Sequence, residues 1–162
     1  MSVTVTYKSE LTVIEALSAG VAAASDKSVT HSVFNTTATK TAVSTPPVTQ
    51  VAAFDQALVG GAATIDLTNL SGTNLAAVVG TGLRIQFLKL KAATANANPI
   101  TISKGASNGY NGFGANFNLE LAPGGEALLF ANDAGGDVAA GNKTLDLAGT
   151  GTQVMECEFV LG

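Results

Sequence analysis

The chain has no tryptophan, one cysteine and one histidine, and only 12% of its 162 residues are charged. With Cys157 alone, no internal disulfide can form, so packing and backbone pairing must hold the fold. Cys157 lies in an apolar alternating run and reads as a small buried hydrophobe. Nothing in the sequence ties it to His31, so a nucleophile–base pair is not indicated. His31 itself stands in an alternating run and reads as a polar or partly packed strand residue, because a metal site or catalytic base needs partners in reach. Lys and Arg number 8 against 12 acidic residues, a net charge of −4, with no basic run. That balance speaks against nucleic acid, whose phosphates demand clustered cations. No apolar run approaches the roughly 18 residues that span a bilayer. Met1–Glu10 lacks the basic start of a signal peptide, and the apolar stretch Val13–Ala24 is preceded by Glu10 and broken by Glu15. The expectation is a soluble chain made in the cytoplasm, with no membrane partner. The low charge, about half the usual share, leaves two readings open. Neighbours in an assembly cover much of the surface, or the surface is the Thr/Ser/Asn-rich kind that all-β proteins carry.

What is present is short-period alternation cut by glycine, proline and asparagine. Val3–Tyr7 alternates with period two, as a half-buried strand does. Leu11–Leu17 reads as a strand running into a loop at Ser18-Ala19-Gly20, and Val29–Phe34 as another strand. Pro46-Pro47 closes the Thr-rich stretch Asn35–Thr49 and marks an edge or crossover. Val48–Leu58 reads first as a strand, with a short helix as the competitor, since Val51, Phe54 and Leu58 also stand at helical spacing. Ala62–Leu70 follows as a strand, then a loop over Ser71–Gly82. Leu83–Leu90 alternates most clearly, with Leu83, Ile85 and Phe87 on one face beside Lys89. Its parity slips near Leu88, which predicts a bulge or an end buried on both sides. Ile100–Ser103, Phe117–Leu121, Glu126–Phe130, Thr144–Leu147 and Gln153–Leu161 are further strands. The APGG turn of Ala122–Gly125 joins Phe117–Phe130 as a hairpin. In the last strand Met155, Cys157, Phe159 and Leu161 face the core. Roughly eight to ten short strands with little helix predict an all-β fold, an antiparallel β-sandwich of jelly-roll kind, in one domain over residues 1–162. An N-terminal arm of about residues 1–20 is free to pair with a neighbour.

The sequence offers little chemistry. No pair of carboxylates is marked out for acid–base work. Asn132–Asp137 (NDAGGD) carries oxygen ligands and glycines, but it lacks the twelfth-position Glu of an EF-hand and reads as a solvated loop. Lys104–Gly109 (KGASNG) lacks the Gly-Lys-Ser/Thr end of a phosphate loop. No metal and no cofactor is expected, and the chain reads as a non-enzyme. Tyr110 and Phe113, set among glycines, admit three readings: a sugar-stacking platform, an intersubunit contact, or a plug at one end of the sandwich. Thr64-Ile65-Asp66-Leu67 and Thr144-Leu145-Asp146-Leu147 echo one another. That echo would suit equivalent strands in two sheets, and a match this short also arises by chance.

Four short motifs carry a likeness: Asn98-Pro99-Ile100-Thr101-Ile102, Ser107-Asn108-Gly109-Tyr110, Leu121-Ala122-Pro123-Gly124-Gly125 and Gly149-Thr150-Gly151. With the closing strands they make the chain, most strongly over Thr64–Gly162, resemble the head decoration (cement) proteins encoded beside the major capsid protein of tailed bacteriophages. The resemblance implies a virion structural protein on the capsid exterior. Its partners would be the major capsid protein and copies of itself, commonly as a homotrimer that clamps neighbouring capsid subunits. Interface residues expected on this view are Val3, Val5 and Tyr7 of the apolar N-terminus, which suit strand addition to a partner's sheet edge, together with Tyr110 and Phe113. The alternative function is a carbohydrate-binding β-sandwich of a phage tail or cell-surface protein.

Overall fold

In the computed structural model the described residues are 2–16, 28–32, 35–131 and 135–162. The expected loop at Ser18-Ala19-Gly20 and the Asn132–Ala134 part of the Asp/Gly loop lie outside them. Among the described residues there is no helix, and fourteen strands account for the regular structure. In chain order they are β1 (Thr4–Ser9), β2 (Val13–Ala16), β3 (Ser28–His31), β4 (Thr36–Thr41), β5 (Gln50–Ala57), β6 (Ala62–Asp66) and β7 (Leu70–Ser71). There follow β8 (Ala77–Val78), β9 (Ile85–Ala92), β10 (Ile100–Lys104), β11 (Asn118–Leu121), β12 (Glu126–Phe130), β13 (Thr144–Ala148) and β14 (Val154–Leu161).

Eight of these strands form two four-stranded antiparallel sheets, ordered β12-β9-β14-β5 (sheet I) and β11-β10-β13-β6 (sheet II). The sheets bury one shared core. Leu88, Leu90, Met155, Cys157, Phe159 and Leu161 come from sheet I, and Ile65, Ile100, Ile102, Leu145 and Leu147 from sheet II. The alternation of the sequence supplies this directly, since every second side chain of each strand enters the space between the layers. The protein is therefore an antiparallel β-sandwich. Val48–Leu58 resolves as strand β5, because a partner strand, β14, runs alongside it from Gln50 to Ala57.

Two details of β9 follow from one bulge. Val160 pairs with Phe87 and Leu161 with Ile85, so Gln86 is the extra residue in the ladder. The bulge reverses parity. Ile85 then joins the inner core, while Phe87 lies in a separate cluster on the outer face. The expected common face for Ile85 and Phe87 is thus corrected, and the slip sits at Gln86.

The expected hairpin Phe117–Phe130 is also corrected. β11 pairs with β10 in sheet II, whereas β12 pairs with β9 in sheet I. Ala122–Gly125 does make a tight turn, with Gly125 N–H donating to Ala122 O at 2.7 Å and Gly124 at φ +77°. It turns a corner between layers, held by reciprocal bonds from Gly124 N–H to Ala92 O and from Ala92 N–H to Gly125 O, each 2.9 Å. Turn chemistry in the sequence specifies a reversal and leaves open which sheet the returning strand joins.

The T-[IL]-D-L echo does not mark equivalent places in two sheets. The two segments are β6 and β13, neighbours in sheet II, with Ile65 opposite Leu145 and Asp146 opposite Thr64. The Thr64 hydroxyl donates to Asp146 Oδ1 at 2.8 Å.

Candidate binding surface

The antiparallel register of sheet I writes its outer face as three rows across β12, β9, β14 and β5. Phe130, Phe87, Val160 and Val51 form an apolar row, Leu128, Lys89, Glu158 and Ala53 a mixed one, and Glu126, Lys91, Glu156 and Asp55 a charged one. Lys91 Nζ reaches Glu156 Oε2 at 3.1 Å across the charged row. The apolar row is covered by the chain's own N-terminus. β1 pairs with β4, and Val3, Val5 and Tyr7 pack with Val51 around Val48, Phe87 and Val160. Tyr7 closes an aromatic group, its ring 4.9 Å from Phe87 and 5.0 Å from Phe130, with Phe87 and Phe130 stacked at 4.7 Å. Val3, Val5 and Tyr7 were expected to face a partner. They face sheet I of the same chain, because the outward apolar row leaves about 1.5–3 kcal/mol per large side chain to be gained by covering it. The arm's strand β1 likewise takes its hydrogen-bond partner from within the chain.

Tyr110 is corrected in the same way. It is fully buried, and its hydroxyl accepts the Ile85 N–H at 3.1 Å. Of the three readings, it is the plug at the end of the sandwich. The glycine beside it is required, because a Cβ on Gly112 would stand 2.2 Å from the Tyr110 ring. Phe113 is half-buried, edge-on to Tyr110 at 6.0 Å and 5.0 Å from Phe117. It remains near the surface with Phe117, a residue the sequence reading used only as the start of a strand.

These placements converge on β12. It is one edge of sheet I, with no strand on its outer side among the described residues, and it leaves Leu128 44% and Phe130 37% exposed. A hollow of about 490 Å³ flanks it where Val5, Tyr7 and Lys8 overhang Phe87 and Leu128. A second, of about 620 Å³, lies between the edge and Phe113 and Phe117. An unpaired, partly apolar edge with aromatic walls on both sides is suited to receive an extended segment of another chain by backbone pairing. The signal was legible as the period-two exposure of Leu128 and Phe130 in EALLF, but only the sheet order shows that this strand ends a sheet.

Two titratable groups, Cys157 and Asp66, are shifted by their packing and hydrogen bonds. The Cys157 thiol is buried, and burial followed by the nearby Asp55 charge pushes its pKa up to about 12. For Asp66, partial burial pushes upward. Hydrogen bonds from Lys143 Nζ and from the Thr68 hydroxyl and N–H, with the Lys143 charge, outweigh it and hold the carboxyl below its ordinary value. Among the described residues no group of three or more His, Cys, Asp and Glu is placed to hold a metal ion. Asp137, from the Asp/Gly loop, is taken by Arg84 Nε at 2.7 Å. No helix among the described residues is long and apolar enough to cross a membrane.

The chain matches no family model, no curated protein and no solved structure.

Proposed function

We propose that the chain is a non-enzymatic virion structural protein that decorates the outside of a bacteriophage capsid. It acts as a cement protein clamping neighbouring capsid subunits, with copies of itself in a homotrimer. The observation that carries this reading is the open edge β12 with its two flanking hollows. A segment of a shell protein laid along Glu126–Phe130 continues sheet I by main-chain hydrogen bonds and seats alternate side chains in the hollows. Covering what is still exposed of Leu128 and Phe130 adds about 1 kcal/mol each, and many copies on a shell multiply a modest single contact. The strand order supports the reading as well. Numbered one to eight along the chain, the sandwich strands run 6-3-8-1 in sheet I and 5-4-7-2 in sheet II. We read this interleaving as a jelly roll, an architecture found in viral capsid proteins as well as in lectins and cupins. On this proposal the protein takes no cofactor, nucleic acid or membrane partner, and its place is the capsid exterior after synthesis in the host cytoplasm.

Shells lacking the protein provide the test. Wild-type protein should bind them saturably, in a fixed ratio to the capsid subunit, and raise their melting temperature. Leu128→Lys should keep the melting temperature of the free protein and lose binding at least tenfold. Absence of saturable binding, or full binding by a folded Leu128→Lys variant, would overturn the proposal.

A further inference from the structure

The loop from β10 to β11 is built with more hydrogen bonds than a connection needs. Gly105 and Tyr110 donate their N–H groups to Thr144 O at 3.0 and 2.9 Å, and Asn108 O accepts from Lys143 and Thr144 at 2.7 and 3.1 Å. Ala106 N–H donates to Asp146 Oδ2 at 2.8 Å, Asn111 N–H to Asn142 Oδ1 at 2.7 Å, and the Thr144 hydroxyl to Ser107 O. Tyr110 fixes the loop from below. Gly105 and Gly109 let it fold tightly, since a Cβ on either would stand 2.1 Å from Thr144 Oγ1 or Gly105 O.

This fixed backbone frames an open depression of about 660 Å³ bordered by half-buried Lys104 and Phe117 and by the exposed side chains of Asn108, Asn111, Asn116 and Asn118. Among the described residues, none of those four amide side chains, nor the Lys104 ammonium, hydrogen-bonds or ion-pairs with another residue. The Lys104 stem lies against Gly109, where a Cβ would meet its Cγ at 2.6 Å, so its cationic head is held at the rim. Small-molecule sites of comparable size are mostly apolar. This one is walled by amides, each offering donors and an acceptor in one plane, with one half-buried aromatic ring and one cation.

We propose that this hollow binds an acidic saccharide, of the hexuronic or sialic acid class. Vicinal hydroxyls pair with the asparagine amides, the C–H face of the sugar ring lies on Phe117, and the carboxylate pairs with Lys104. The β12 edge is not needed for this. The inference stands or falls independently of capsid binding.

The test is a titration of ¹⁵N-labelled protein with methyl glucuronide, the methyl glycoside of sialic acid, neutral methyl glucoside and sodium acetate, followed by NMR. At least one acidic sugar should shift the side-chain amide signals of Asn108, Asn111, Asn116 and Asn118 saturably. Lys104→Gln should weaken it about tenfold, as loss of one charge-assisted bond does, with signals elsewhere unchanged. Asn116→Ala should weaken it too, and Leu128→Lys should leave it intact. The proposal is overturned if neither acidic sugar moves these amides, if acetate moves them equally, or if Lys104→Gln binds like the wild type.

Discussion

Cys157 shows how little a residue's type decides by itself. The alternating run around it places its side chain in the core, and there it is 4% exposed with its thiol pushed up to about 12. The thiolate is the reactive form. Native protein at pH 8 should therefore fail to react with a disulfide reagent over hours, and react at once in denaturant; rapid native labelling, read by absorbance, would contradict the buried placement. Asp66 gives a second residue-scale outcome. A carboxyl held below its ordinary value contributes stability that is present above the unfolded pKa and lost as pH falls through the folded one. Asp66→Asn should cost roughly 1 kcal/mol at pH 7. In thermal melts taken from pH 7 to pH 3, its deficit against the wild type should shrink below about pH 4. A deficit constant over that range would mean that the Lys143 and Thr68 contacts act by shape alone. Tyr110 was the residue least legible in sequence. An aromatic among glycines reads alike as a platform or a plug, and only the Ile85 N–H that its hydroxyl receives separates them.

At the scale of elements, period and turn chemistry carried the sequence reading far and failed at two kinds of place. β5, β9, β12 and β14 were legible because their inward side chains alternate. β4 was hidden in a Thr-rich stretch, where small polar residues show no apolar period; its strand character comes from pairing with β1. The partner of β12 was misassigned because a hairpin turn and a sheet-crossing corner share the same APGG chemistry. The β1–β4 ribbon bears a test. Two strands are marginal alone in water, and this pair is kept in place by Val3, Val5 and Tyr7 on the outer row of sheet I. Tyr7→Ala should cost roughly 1–3 kcal/mol, less than a fully buried aromatic. It should also increase binding of a hydrophobic dye as Phe87 and Phe130 are uncovered. An unchanged denaturation midpoint together with unchanged dye binding would show that the ribbon is held by other contacts.

For the whole molecule, the class and the inner core were readable, because a two-layer sandwich needs only alternation and frequent turns. The candidate binding surface was not. An edge exists only relative to a sheet order, and that order joins segments more than a hundred residues apart, as in the pairing of Gln50 with Leu161. This long pairing has a consequence for how the protein is made. β14, the last strand in the chain, is an inner strand of sheet I, with β9 on one side and β5 on the other. While the ribosome is still short of residue 154, β5 and β9 have no common neighbour, and their apolar faces stand open. Sheet I can therefore close only once the chain has been extended through Leu161 and that segment has cleared the exit tunnel. Until then the nascent chain exposes unpaired strands of the kind that chaperones shield, and the arrival of β14 sets when sheet I can close.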